Sequence, residues 1–430
     1  MASFTDLIAE RLHFRREEFL AGLSSKPDDE VEHLLARGIQ AHWHPFEPEN
    51  TRNTDQSVLQ VAAVDGSRAV RALSSGADWV IAQALLIGPN GLRKSAVDTI
   101  LLRGEIERPA VDRCAALLMR SLELDLALKF VESGDGHTLI LDGSLYADLP
   151  YLLYRLAIGG YEDLPLKVLE QYLMLFDLCQ KSGVLLMGIS KSARSAVLGH
   201  ALLDGSRPLV SLIPQLPDSG TSKPLEADVQ EDVEIFRGDS INGKNQRRGT
   251  RSGMNGLPTD GELMHRWTKG TGLTDPVLLG SSSFGRAGAM ADEKLTSQIK
   301  QALLEPQPSS DLQRVLNRLF NAPAIGTFYV RLAPGDDALR VDALASTFGR
   351  DDLRLLGFAR TLVPYTTALP LVQHLLGEYG GLSVYNAALY VVDKEVRLHA
   401  ATVDHVYLSV LRRQLGQSVQ YDRSTRRFIY

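Results

Sequence analysis

Cysteine is scarce: Cys114 and Cys179 are the only two in 430 residues, and neither belongs to a Cys-x-x-Cys pair. That excludes a disulfide framework and a Cys-rich zinc site, and it fits a reducing, cytoplasmic setting. Long hydrophobic runs are also missing. None approaches the roughly 18 residues a membrane span requires, so a soluble protein with no membrane partner is expected. Neither charge sign dominates, with 46 Lys and Arg against 52 Asp and Glu and a formal net charge of −6. A wholesale nucleic-acid coat protein is thereby excluded, whereas a local basic groove in an acidic chain is not. No repeat of solenoid length occurs. The opening segment lacks the short apolar core and small-residue cleavage site of a secretory signal. Its Phe4, Leu7, Ile8, Leu12 and Phe19, set among charges of both signs, suggest an amphipathic helix.

What is present is an ordinary globular composition, 44% hydrophobic and 23% charged, in a chain long enough to bury a large core. Residues 1–56 read as a helical lead-in followed by polar loop. There His42 and His44 flank Trp43, but two histidines alone make an incomplete metal site, and a surface loop explains them. Strands follow. VLQVAAV (58–64) is a short apolar run stopped by Asp-Gly, and Trp79 to Ile87 and Ile100 to Ile106 read as the next two, with a turn at 88–91. Residues 111–131 carry helical spacing, HTLILDG (137–143) is a fourth strand, and 163–183 is a helix between Pro165 and Gly183. VLLMGIS (184–190) is a fifth strand, with a helix at 191–203.

An antiparallel meander followed by strand–helix crossovers is the order of an α/β, ribonuclease-H-like mixed sheet flanked by helices. Residues 57–203 are expected to form its core. Residues 204–280 read as a Gly-rich, basic insertion, and 281–430 as completing the domain with additional strands and helices. In that last part GTFYVRL (326–332) and ALRVDAL (338–344) read as a strand pair turned at 334–337. A helix over 366–379 and a strand-and-helix segment from Leu382 to Leu415 follow.

Asp-Gly-Ser occurs three times, at 65–67, 142–144 and 204–206. Taken singly, each is a turn signal. Asp65 and Asp142, however, end strongly apolar strands that lie side by side in the expected sheet, whereas Asp204 follows a helix that Gly205 can cap. Glu123 sits on a mainly apolar helix stripe with Ala116, Met119, Ala127 and Phe130, where a carboxylate facing the sheet loses hydration. Two strand-end aspartates and an inward glutamate repel one another unless a cation joins them. Hard oxygen donors suit Mg²⁺ or Mn²⁺, and two such ions about 3.5–4 Å apart support phosphodiester hydrolysis.

The segments VAAVDGSR (61–68), MRSLELDLAL (119–128) and LILDGSL (139–145) resemble the three carboxylate motifs of the NurA nuclease family. GISKSAR (188–194) is similar to its strand followed by a lysine, and FYVRL with RVDAL (328–344) to its later paired strands. The resemblance implies a dimeric, ribonuclease-H-like, Mn²⁺-dependent enzyme acting on single- and double-stranded DNA. It also implies 5'-to-3' exonuclease and single-strand endonuclease activity in DNA end resection and double-strand break repair, with a hexameric HerA-type ATPase as partner. Asp65, Glu123 and Asp142 match its metal ligands. The family also uses a late tyrosine and histidine. LVPYTTALPLVQHLL (362–376) offers Tyr365 and His374, nine residues apart where eight are expected, and His374 is the candidate fourth ligand or proton carrier.

Two further features bear on DNA. Lys191, just after a strand, suits a phosphate contact but equally a solvated helix start. Lys244, Arg247, Arg248 and Arg251 suit backbone contacts, or simply a charged loop. GDSINGKN (238–245) nearly spells a phosphate-binding loop, but Asn245 stands where Ser or Thr must hold Mg²⁺. A non-catalytic DNA-binding or scaffold subunit regulating a translocase is the alternative function. Another ribonuclease-H-like enzyme, such as a junction resolvase, is a third.

Overall fold

Residues 61–72 form the strand around which the fold is organised. The computed structural model describes residues 3–23, 27–51, 61–191, 195–206, 257–280, 310–356, 358, 360–416 and 419–421. Its strands are β1 (Trp43–Pro45), β2 (Val61–Ala72), β3 (Asp78–Ile87), β4 (Arg93–Leu102), β5 (Thr138–Asp142), β6 (Leu185–Ser190), β7 (Gly272–Thr274), β8 (Val277–Leu279), β9 (Ile325–Arg331), β10 (Leu339–Leu344) and β11 (Thr361–Leu362). Among the described residues they make one mixed sheet in the order β4-β3-β2-β5-β6-β10-β9-β7-β1. β8 lies beside β9, and β11 beside β8. β2, β3 and β4 are the antiparallel meander, and β2, β5 and β6 run parallel, as the sequence order requires. With its flanking helices this is the expected mixed α/β architecture.

Alternation divides the sheet into two faces. Ala62, Val64, Leu139, Leu141 and Leu186 pack against the long helix Arg108–Ser133 and the helix Leu164–Ser182. Ala63, Ile140, Met187 and Ile189 point the other way, toward Leu371, Val372, Leu389 and Val392 of the helices Leu369–Glu378 and Ala387–Val396. The long helix starts with Pro109 in its first turn and ends at Gly134, whose φ of 69° is the left-handed cap that glycine adopts freely. It is apolar on several sides because it lies between the sheet and the helix Leu164–Ser182, and each fully buried leucine stabilises the fold by about 1.5–3 kcal/mol.

Several sequence expectations shift. β2 does not stop at Asp65-Gly66 but runs on to Ala72, because residues 63–72 keep continuous register with β3. The third strand lies at Arg93–Leu102, earlier than expected. It is a sheet-edge strand whose exposed residues include Arg93, Ser95, Asp98 and Thr99, which dilutes its apolar pattern. The helix after β6 begins at Val197, so Lys191 is not at its start. Residues 257–280, grouped with the insertion from sequence, supply the helix Asp260–Trp267 and strands β7 and β8. No strand occurs among the described residues between Leu382 and Leu415, where helices stand instead. The basic positions Lys244, Arg247, Arg248 and Arg251, and the 238–245 segment, lie outside the described residues.

Candidate active site

Asp65 lies within β2 and Asp142 ends the adjacent parallel strand β5. Alternation puts both on the face shared by Ala63 and Ile140. Gly66 faces the opposite side, where a β-carbon would come within 2.6 Å of the Met119 Cγ and overlap the Glu123 carboxyl. Glu123 thus reaches the two aspartates from the other layer, over the one position of β2 that offers no side chain. It is 2% exposed.

The turn after Asp142 is held tightly. Gly143 N donates to the Ile189 carbonyl at 2.8 Å. Asp342 on β10 accepts from the Ser144 hydroxyl at 2.5 Å and the Leu145 N–H at 2.9 Å, and it pairs with buried Arg340 at 2.9 Å. Gly143 has φ of 105°, which favours glycine, and the Arg120 guanidinium lies beside it, with Nη2 3.4 Å from where a β-carbon would stand.

The Asp142 charge acts on both of the other carboxyls. Burial and the neighbouring Asp142 charge raise the Asp65 carboxyl to about 6, although the Gly66 N–H donates to it at 2.7 Å. Burial raises Glu123 to about 7. Arg120 opposes that shift, while Asp65 and Asp142 reinforce it. Arg120 Nη1 donates to Glu123 Oε2 at 2.5 Å, and its Nη2 lies 3.9 Å from Asp148. Lys191 Nζ stands 3.2 Å from Asp142 Oδ2 and 5.1 Å from the centre of the Tyr385 ring.

Lys191 thus pairs with Asp142, and Asp65 and Asp142 both act on Glu123 from across the sheet. Tyr365 and His374 are placed differently. Tyr365 stacks on His44 with ring centroids 3.9 Å apart, and its N–H donates to Asp275 at 2.8 Å. Asp275 also sits 2.7 Å from His42 and 3.0 Å from His44, so that pair of histidines shares one carboxylate. His374 has an Nδ1 that is buried without a hydrogen-bond partner, and burial alone depresses its imidazole.

Two residues not singled out from sequence do meet the carboxylates. The Tyr385 hydroxyl is buried without a hydrogen-bond partner. Burial, with Asp142, Asp65 and Asp393 beside it, pushes that phenol above its usual range. Asp393 also acts on Asp65, and it pairs with Arg397 at 2.9 Å. Both belong to the segment over β2 and β5 that includes the helix Ala387–Val396, capped by Asn386. Its far end is anchored where Leu398 N–H donates to Ser67 at 2.9 Å and Gln83 donates to the Val396 carbonyl at 2.7 Å. A signal was present: Tyr385 and Asp393 are eight residues apart, the spacing expected of the late tyrosine and histidine.

The donor set is one of hard oxygens, Glu123 buried and Asp65 and Asp142 half-buried, which fits a divalent cation such as Mn²⁺ or Mg²⁺. Among the described residues no three His, Cys, Asp or Glu side chains already stand together as a metal-holding group. Glu123 is instead turned to Arg120.

The family model described as the NurA domain matches residues 59–363, well over half of the chain. The chain belongs to the NurA family. Solved structures are similar at low identity. The NurA nuclease from Sulfolobus solfataricus is 14% identical, with 96% of this chain and 98% of that one covered and a TM-score of 0.49. A NurA bound to dAMP and manganese is 15% identical over 93% and 97%, with a TM-score of 0.44. An Endonuclease V from Ciona intestinalis in complex with DNA is 11% identical over 39% and 58%, with a TM-score of 0.16. No curated protein sequence matches it. The NurA match ends before Tyr365, so it does not choose between the two tyrosine pairs. No helix among the described residues is long and apolar enough to cross a membrane.

Proposed function

We propose that this chain is a metal-dependent deoxyribonuclease whose centre is built by Asp65, Glu123 and Asp142. The observation that carries the reading is the Glu123 carboxyl lying over Gly66, next to Asp65 on β2, from the opposite layer, with burial and the Asp142 charge raising both Asp65 and Glu123 above the ordinary carboxylate range. Membership of the NurA family supports DNA as the substrate. The three carboxylates would hold Mn²⁺ or Mg²⁺, one ion or two. When bound, the ions would polarise a phosphoryl oxygen and ease deprotonation of an attacking water.

The remaining residues act around that centre. Lys191, nearly half exposed beside Asp142, neutralises a phosphate next to the scissile bond. The Tyr385 hydroxyl donates to a non-bridging phosphate oxygen, which would give that buried group the partner it lacks. Asp393 is the fourth carboxylate, taking from the opposing helix the place that sequence reading gave to His374. Lys244, Arg247, Arg248 and Arg251 contact the DNA backbone without reading sequence. The resemblance noted in the motifs supports the finer points: a homodimer, 5'-to-3' exonuclease and single-strand endonuclease action in end resection, and a HerA-type hexameric ATPase as partner in the cytoplasm.

The test is digestion of end-labelled DNA by purified protein with Mn²⁺, alone and with a HerA-type partner. Product should appear with wild type and vanish in Asp65→Ala and Asp142→Ala. A wild-type protein inert under both conditions, or variants that cut as well as wild type, would leave the non-catalytic scaffold as the better account.

A further inference from the structure

Arg120 is a cation among the candidate metal ligands, and its position calls for an explanation. It lies one helical turn before Glu123 on the long helix, is 17% exposed, and donates to Glu123 Oε2 at 2.5 Å. The other Glu123 oxygen faces Gly66. The same guanidinium stands 3.4 Å from the Asp142 carbonyl, 3.9 Å from the Asp148 carboxylate, and above the space left by Gly143. It therefore borders two of the three ligands on one side and an exposed carboxylate on the other. Asp148 is 45% exposed and Glu123 is 3% exposed, so Arg120 bridges the buried interior and the surface.

We infer that Arg120 is a latch on this site: it occupies Glu123 while no divalent cation is bound, and it passes to Asp148 when the cation takes that carboxylate. A buried carboxylate without a cation is strongly unfavourable, so Glu123 needs Arg120 in the metal-free protein. A divalent ion on Glu123 meets that need and repels the guanidinium at short range. The two cations therefore compete for one carboxylate. Asp148 is already within ion-pair reach of Nη2. Arg120 is on this account a positioning residue acting through Glu123. The inference rests on the reading of Glu123 as a metal ligand.

Mn²⁺ binding to the full chain, followed by calorimetry and by the electron-paramagnetic-resonance signal of free Mn²⁺, tests it. Measurement at about pH 8 keeps both raised carboxyls ionised. Arg120→Gln is expected to tighten Mn²⁺ binding by roughly threefold to tenfold, and Asp148→Asn to weaken it by a similar factor. Arg120→Lys, which keeps the charge, should stay near wild type. In thermal melts Arg120→Gln should lose stability without metal and recover it with saturating Mn²⁺. Wild type that binds no Mn²⁺ sinks the metal-site reading and the latch with it. Wild type that binds, with Arg120→Gln equal or weaker, sinks the latch alone. Should Arg120→Gln fail to fold, Asp148→Asn at the surface still decides, because unchanged affinity there removes the second station.

Discussion

Gly66 and Glu123 meet across the face of the central sheet so closely that a β-carbon on the glycine would overlap the glutamate carboxyl. The contact couples a turn-like tripeptide in β2 to a glutamate more than fifty residues later in the chain, and it gives Gly66 a place beside the proposed site with no chemistry of its own.

Gly66→Ala is therefore expected to displace Glu123 and Met119 instead of straining β2. Overpacking of this kind costs about 1–3 kcal/mol. The fold should survive with a lowered melting temperature, while nuclease activity and Mn²⁺ binding fall at least as far as in Glu123→Gln. Full Mn²⁺ affinity in Gly66→Ala would show that Glu123 does not need that approach.

Metal binding should depend steeply on pH. Asp65 and Glu123 hold their protons up to about 6 and about 7, so Mn²⁺ must displace them in that range. Affinity should rise from about pH 5.5 to 8 and then level, with proton release measurable by calorimetry in buffers of different ionisation enthalpy. A flat profile over that window would contradict the raised carboxyls.

The same shifts have a consequence for stability without metal. Both folded values lie above the ordinary 3.8 and 4.5 of these carboxyls. Their contribution is fully present below those ordinary values and is lost as pH rises through the folded ones. The metal-free melting temperature should thus decline between about pH 4 and 7, and Asp65→Asn should reduce that decline while raising the melting temperature at neutral pH. An Asp65→Asn protein with the wild-type pH dependence would refute this.

Tyr385 and Asp393 can be set directly against Tyr365 and His374. Tyr385→Phe and Asp393→Asn should lower kcat by about tenfold or more with the fold intact, as loss of a charge-stabilising group does. Tyr365→Phe and His374→Gln should leave kcat near wild type, because Tyr365 is engaged with His44 and Asp275. The opposite pattern would return the role to the earlier pair.

Asp342→Asn tests the support beneath Asp142. It removes the charge that Arg340, Ser144 and the Leu145 N–H all engage, leaving Arg340 buried without its partner. Breaking such a pair costs on the order of 3–5 kcal/mol, readable in chemical denaturation. Ser144→Ala should cost less, since the charge pair remains.

How much of this was legible in the sequence depends on the range of each signal. Asp142 and Glu123 announced themselves locally, by an apolar strand end and by a carboxylate in an apolar helix stripe. Asp65 was found for a partly wrong reason: its Asp-Gly reads as a stop, yet pairing with β3 carries the strand through it, and cross-strand register outweighs turn propensity. β1, β7 and β8 have three residues each, too few to show a period, so their place in the sheet could not be read. At 365–374 a histidine in a helical stretch draws the eye, whereas Tyr385 stands outside any such signal. Asp393 is an unremarkable carboxylate until a helix lays it beside Asp65.

The two-layer origin of the ligand set also bears on life inside a cell. A chain emerging from synthesis carries Asp65 long before the long helix has docked and longer still before residues 385–393 exist. Asp65 and Glu123 belong to different layers, so the centre proposed above is complete only once the long helix has docked on the sheet. On that proposal, a chain whose layers have not yet closed carries no cutting centre.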